Sequence, residues 1–388
     1  MQKLIAVICI CHVALCASVS FAAPEDSLTL PRTYDKLVNK KKLTIAYLGA
    51  SVMAGANASA PEKNSWRALV TQALQAQYPD AKIDAVNTSV GGLGADYANF
   101  HLRYDTLPKK PDLIFTDAYC NGPGGDDLIR CNEGIVRQIR KELPDAEIVF
   151  TYIYTKAGGG VDRYYQKGET PKDFVQLHEL CKHYGLVDID LGKVMYDALQ
   201  KQPATPLLSD VVHPSDAGHK LYADAIMQFL KERIVKGNSS TSVLPVPYKP
   251  NSMENPTIID AEAAMKLGTG WKIDKKTIGF MPETLLVADP AKGAELTVSF
   301  TGTQCGLYWL ESFEGGQIEW SVDGQPAQKL ASASDFLIKH RTSVVTFRRC
   351  RFTNPVPYGE HKLTIRALPD KPAGSLGNVI KIGAIIAQ

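Results

Sequence analysis

Two short segments, far apart in the chain, carry side chains that together could perform acyl chemistry. The first is Tyr47-Leu48-Gly49-Ala50-Ser51, closed four residues later by Gly55. The second is Ser209-Asp210-Val211-Val212-His213-Pro214. A serine hydroxyl attacks an acyl carbon only when a base takes its proton and hydrogen-bond donors meet the developing oxyanion. An Asp three residues ahead of a His can curl back within one turn, accept the Nδ1 proton and leave Nε2 facing the serine. Each segment alone has a plainer meaning: a turn serine, a helix-capping Asp and a surface His. Only their placement on one edge of one scaffold would join them.

The scaffold is legible from periodicity. From residue 43 to about 235, short β-rich apolar runs alternate with amphipathic stretches, the pattern of a parallel sheet covered on both faces. Strands are expected over 43–48, 82–86, 112–116, 147–153 and 187–189. Helices are expected near 66–78, 95–106, 127–142, 172–184 and 215–235, the first capped by Ser65. Such open sheets bind ligands beyond the carboxyl ends of their strands. Ser51 lies there, and so do two further turns. Asn87-Thr88-Ser89-Val90-Gly91-Gly92 follows the second strand with glycines that let backbone approach a substrate. Asp117-Ala118-Tyr119-Cys120-Asn121 continues the third strand directly.

Taken in order, these four segments resemble the four blocks of the SGNH or GDSL hydrolases, a superfamily of esterases, lipases and carbohydrate deacetylases. The resemblance spans roughly residues 40 to 235. It implies a flavodoxin-like three-layer α/β sandwich with a parallel sheet, with Ser51 as nucleophile and His213 as base oriented by Asp210. It also implies an oxyanion hole from the Ser51 and Gly92 backbone N–H groups and the Asn121 side chain, each donor contributing roughly 3 to 4 kcal/mol in comparable sites. Neither a metal nor an organic cofactor is implied. Glu133-Gly134-Ile135-Val136-Arg137-Gln138-Ile139-Arg140 resembles the helix after the third block in exported, polysaccharide-associated members. Two positions depart from the pattern: Ala50 stands for the Asp of Gly-Asp-Ser, and Gly122 for the Asp that usually follows the oxyanion Asn.

Around this unit the composition changes. Residues 1–22 carry Lys3, an apolar run from Leu4 to Ala17 and small residues at Ser20-Phe21-Ala22, as in a cleaved secretory signal peptide. The run is short of the roughly 20 residues that span a bilayer, and no later segment qualifies, so stable membrane insertion is not expected. The catalytic unit is then expected over 23–236. Residues 237–256 are small, polar and proline-rich and read as a linker. Residues 257–388 are β-textured, with strands expected over 295–300, 306–311, 317–322 and 362–367 and turn signals at Asp323-Gly324 and Tyr358-Gly359. They predict an antiparallel β-sandwich that looks like the jelly-roll accessory domains found beside carbohydrate esterases. A net charge of +2 with no basic, aromatic-interleaved stripe argues against nucleic-acid binding.

Without Cys9, Cys11 and Cys16 of the leader, five cysteines remain. Export permits disulfides, and the candidate pairs are Cys120 with Cys131 and Cys305 with Cys350, leaving Cys181 unpaired. A Cys120–Cys131 bridge would steady the loop that Gly122 loosens. Trp66 reads as core or pocket rim, and His219 as a helix residue near the site. Gly158-Gly159-Gly160 reads as a mobile loop or a plain connector. Trp271, Tyr308, Trp309, Phe313 and Trp320 fit either sandwich core or a sugar-stacking platform. The function expected is removal of small acyl groups, acetyl foremost, from an acylated carbohydrate outside the cytoplasm. The alternatives are acyl transfer to a glycan hydroxyl and a degenerate glycan-binding protein.

Overall fold

The structure is a computed structural model that describes residues 28–387 apart from 93, 123, 202–205, 239–242, 276–283 and 351–355, with the backbone alone for 344–350. The leader expected over 1–22 lies outside the described residues. The first unit runs α1 (Pro31–Val38), β1 (Lys42–Leu48), α2 (Ser51–Ala54), α3 (Pro61–Asn64), α4 (Trp66–Gln77), β2 (Lys82–Asn87), α5 (Ala95–Asp105) and β3 (Leu113–Thr116). It continues with α6 (Asp126–Glu142), β4 (Glu147–Tyr152), α7 (Asp162–Tyr165), α8 (Lys172–Tyr184), β5 (Val187–Asp190), α9 (Leu191–Lys201) and α10 (Asp216–Arg233).

Its five strands pair in the order β2-β1-β3-β4-β5, all parallel. Every residue of β3 and β4 is buried, whereas edge strand β2 is nowhere buried and carries Lys82 and Asp84 outward. Helices on both faces demand that continuous apolar run, and edge charges discourage further strand pairing. Tyr47 of β1 stacks on Phe115 of β3 at 5.5 Å, and Trp66 meets both edge-on. Trp66 is therefore core. The order also creates a switch point: the chain passes from β1 to β2 on one side and then crosses to β3 on the other side of β1, opening a crevice at the carboxyl ends.

The proline-rich segment is bound along α6. Buried Glu133 accepts the N–H groups of Tyr248 and Lys249 and the Tyr184 hydroxyl, while Arg137 donates to Pro245 O at 2.7 Å and pairs with Glu254. Gly134 makes the approach feasible, because a Cβ there would lie 2.0 Å from Met253 O.

Beyond it come β6 (Thr257–Asp260), α11 (Ala261–Met265), β7 (Gly268–Thr269), β8 (Trp271–Lys275), β9 (Thr284–Ala288), β10 (Glu295–Gly302) and β11 (Cys305–Ser312). They are followed by β12 (Gln317–Val322), β13 (Gln328–Ala331), α12 (Asp335–His340), β14 (Ser343–Cys350), β15 (Gly359–Ala367) and β16 (Lys381–Ala387). One antiparallel sheet orders β13-β12-β15-β10-β7 and the other β14-β11-β16-β9-β8, with β6 on β16. Strand β10 alternates buried and uncovered residues, as a sandwich with one wet face requires. Strand β11 is buried on both faces. Its Trp309 points into the sandwich core, and its Tyr308 joins a second apolar cluster with Leu285, Val287, Val90, Tyr97 and Phe100. That cluster is the seam between the sandwich and the α/β unit. Tyr308, Trp309 and Trp320 are buried, which corrects the sugar-platform alternative for those three rings.

Candidate active site

Ser51 begins α2 at the carboxyl edge of β1. Ala50, in extended conformation, caps the helix, and Gly55 closes it at φ 92°, a left-handed conformation that favours glycine. The Asp210–His213 segment is pinned as a small closed loop: Ser209 N–H donates to His213 O, and Leu208 bridges Pro214. Within it Asp210 Oδ1 accepts the N–H groups of Val212 and His213 at 2.8 Å each. This is the local curl that the Asp-x-x-His spacing predicts. It leaves Oδ2 2.7 Å from His213 Nδ1, while His213 Nε2 lies 2.8 Å from Ser51 Oγ. The structure thus brings the three sequence-predicted side chains into one continuous hydrogen-bonded relay.

Asn57 belongs to this relay although nothing in the sequence singles it out. Its amide donates to Asp210 Oδ2 at 3.2 Å, so the oxygen facing the imidazole has a second donor. Desolvation alone would raise the Asp210 pKa, but the backbone and side-chain hydrogen bonds of His213, with help from Val212 N–H, hold it down to about 2. An ionised Asp210 is the partner an imidazolium needs. His219 is fully buried: its Nδ1 accepts from Trp66 N–H at 3.3 Å, and its Nε2–H donates to Ala56 O at 3.1 Å. It ties α10 to the turn after Ser51 and has a structural part.

The two glycine-bearing loops flank the serine. Thr88 N–H and Val90 N–H donate to Tyr47 O and Gly49 O, extending the β1–β2 pairing past both strands. A Cβ on Gly91 would come 3.9 Å from Ser51 Cβ, so this turn stands against the nucleophile, with Gly92 next at φ 79°. Asn121 sits exposed at φ 57°, at the tip of the turn after β3. What joins the two loops is bare backbone: a Cβ on Gly94 would fall 2.3 Å from Gly122 N and 2.6 Å from Cys120 O.

The disulfide expected between Cys120 and Cys131 is not formed in the structure. Both are thiols, and Cys131 Sγ lies 3.1 Å from Met253 Sδ, directed at the proline-rich segment from the buried face of α6. A side chain at Gly122 would lie 3.1 Å from Ala95 N, a tight contact that glycine avoids. Cys305 and Cys350 stand directly opposite each other on β11 and β14, but the Cys350 side chain lies outside the described residues.

Asp117 is the other group that sequence reasoning passed over. Completely buried at the end of β3, it accepts the Ala50 N–H through Oδ1 at 2.8 Å. Burial pushes its pKa up to about 7 against the lowering effect of the Ala50 and Met53 backbone N–H groups. The signal available was an acidic residue directly following an apolar strand.

With a serine relay at the switch point, the comparisons with known proteins fall into place. Residues 47–221 match the model of the GDSL-like Lipase/Acylhydrolase family. No curated protein matches the chain by sequence. Among solved structures, the chain is similar to a two-domain esterase (CEX) active on acetylated mannans, with a TM-score of 0.77, 19% identity, and coverage of 92% of this chain and 95% of that one. The form of that esterase co-crystallised with mannopentaose superposes with a TM-score of 0.76, at 19% identity over the same shares of the two chains. At that identity the likeness speaks to fold, and it extends across both units. Residues 47–221 thus carry the GDSL-like lipase/acylhydrolase pattern, which makes the chain a carboxylic ester hydrolase.

Proposed function

We propose that this protein is a serine esterase that removes small acyl groups, acetyl foremost, from a polysaccharide or oligosaccharide by way of an acyl-enzyme on Ser51. The observation that carries this is the unbroken relay from Asp210 through His213 to Ser51, with spacings of 2.7 and 2.8 Å. In the first half-reaction, His213 Nε2 takes the Ser51 hydroxyl proton as Oγ bonds to the acyl carbon. The carbonyl electron pair moves onto oxygen, where the family resemblance assigns the Ser51 and Gly92 N–H groups and the Asn121 amide as the receiving donors. Collapse expels the sugar oxygen, which takes the proton back from His213. Water then repeats the sequence on the acyl-enzyme and frees the carboxylic acid.

An acylated carbohydrate as substrate is supported by the two-unit likeness to an esterase active on acetylated mannans. A reaction outside the cytoplasm is supported by the signal-like composition of residues 1–22. The test is acetate release from a panel of acetylated glycans, mannan and xylan among them, by wild type, Ser51→Ala and His213→Ala. Wild-type release with both variants silent is expected. Release by Ser51→Ala at the wild-type rate would overturn the nucleophile. If acetyl moves mainly to an added sugar acceptor, the protein is a transferase using the same acyl-enzyme.

A further inference from the structure

The Gly49-Ala50-Ser51 turn lacks the acidic side chain its family pattern puts at position 50, yet a carboxylate reaches it from elsewhere in the fold. We propose that Asp117 is a positioning residue for the nucleophile, its carboxylate at the end of β3 holding the turn in the shape that presents Ser51 to substrate. This rests on the proposed hydrolysis at Ser51.

Three observations converge. The Ala50 N–H donates to Asp117 Oδ1 at 2.8 Å in a fully buried setting, so bulk solvent does not stand ready to replace the acceptor if the carboxylate is lost. Position 49 is shaped around the same oxygen: a Cβ on Gly49 would lie 1.8 Å from Oδ1 and 2.8 Å from Cγ, so the carboxylate occupies the space a side chain at 49 would fill. Finally, Asp117 Oδ2 has no hydrogen-bond partner among the described residues. Burying a carboxylate with one bare oxygen is costly, and an apolar residue would fill the volume more cheaply. What an apolar residue cannot do is accept the Ala50 N–H.

The consequence for catalysis lies in which donors remain. Ala50 N–H is committed to Asp117, and Ala50 O closes α2 by accepting from Ala54 N–H at 2.9 Å. The residue before Ser51 is therefore anchored at both its backbone groups. The Ser51 N–H itself has no acceptor among the described residues, which leaves it for an oxyanion. Releasing Ala50 would let the turn rotate, moving Oγ and this N–H together.

The experiment compares Asp117→Ala, Asp117→Asn, Gly49→Ala and the double variant Gly49→Ala/Asp117→Ala, with kcat for an acetyl ester expressed per active site titrated by its acylation burst. Asp117→Ala should lower kcat about 30- to 100-fold with KM within twofold, the pattern of a defect felt in the transition state. Asp117→Asn, whose amide oxygen can accept the same bond, should recover to within about fivefold of wild type. Gly49→Ala, which leaves Asp117 in the chain but pushes it from Ala50, should reproduce the loss. The double variant should be no worse than Asp117→Ala, because the two changes break one contact. A per-site kcat of Asp117→Ala within threefold of wild type would overturn the proposal. So would Asn and Ala variants equally impaired, or fully multiplicative losses in the double variant. Should Asp117→Ala not fold, Gly49→Ala with unimpaired per-site kcat is equally decisive against it. Ser51→Ala run alongside separates the two levels: if it stays active, the esterase mechanism itself has failed, whatever Asp117 does.

Discussion

Replacing Gly94 with alanine should cut kcat about 100-fold while leaving the Ser51–His213–Asp210 relay intact. Gly94 has φ −116° and ψ −164°, extended backbone that any residue adopts, so the substitution carries no conformational strain of its own. Its whole effect is collision. The added Cβ would sit 2.3 Å from Gly122 N and 2.4 Å from Gly122 Cα, all of it backbone that no rotamer change can clear. Restoring ordinary contact near 3.4 Å requires the loops after β2 and β3 to part by about 1 Å. Those loops carry Gly92 and Asn121, the proposed oxyanion donors, and a 1 Å misplacement of such a donor costs on the order of 100-fold, or about 2.7 kcal/mol in the barrier. The assay is steady-state hydrolysis of p-nitrophenyl acetate. The downfield resonance of the His213 Nδ1 proton should report that the contact with Asp210 is unchanged. A folded Gly94→Ala protein with kcat within threefold of wild type would refute the claim that backbone packing of these loops sets the oxyanion geometry.

Removing Tyr308 with alanine takes its ring from Tyr97, 5.5 Å away, and from His101, 5.1 Å away, in the seam between the two units. Such a truncation costs about 3 to 5 kcal/mol, so calorimetry should show a lower Tm. Because Val90, two residues before Gly92, packs in the same seam, kcat should fall as well. An unchanged kcat would uncouple seam from site. The Asp210 carboxyl, held down to about 2 chiefly by His213 against an opposing desolvation effect, should titrate near there by carbon NMR and rise when His213→Ala removes the imidazole. Since the folded pKa lies below the unfolded value of about 3.9, the stability it lends is complete above about pH 4 and is lost as pH falls toward 2. Titration of native Asp210 at the ordinary carboxylate value would contradict the geometry. Alkylation under denaturing, non-reducing conditions followed by mass spectrometry should label both Cys120 and Cys131, whereas a linked peptide would restore the disulfide that the structure does not form.

Much of the fold was open to sequence because parallel strands buried on both faces have little choice but to be apolar. The runs expected at 43–48, 82–86, 112–116, 147–153 and 187–189 coincide with β1 to β5 within a residue or so. Helix α9 escaped because it begins where β5 ends, with no intervening turn residue to signal a boundary. Helix α1 escaped for a different reason: its N-terminal N–H groups at Arg32 and Thr33 are capped by Glu147, more than a hundred residues away. The sandwich was legible only as β texture. Several of its strands, β6, β9 and β16 among them, acquire meaning through pairings with distant partners rather than through local alternation.

At the site, the sequence alone determined what is local. The Asp210-x-x-His213 curl, the turn at Gly55 and the position of Ser51 beyond a strand each follow from a few adjacent residues and their backbone preferences. Only the tertiary structure decided what closes over distance: the 2.8 Å contact between Ser51 and His213, the Asn57 donor to Asp210, the buried Asp117 beneath Ala50, and the Gly94–Gly122 approach, with the expected Cys120–Cys131 bridge not formed. Local chemistry can be read from spacing because the chain itself enforces it. A contact between segments from different strands depends on how the sheet orders them, and that order is set by the packing of the whole unit.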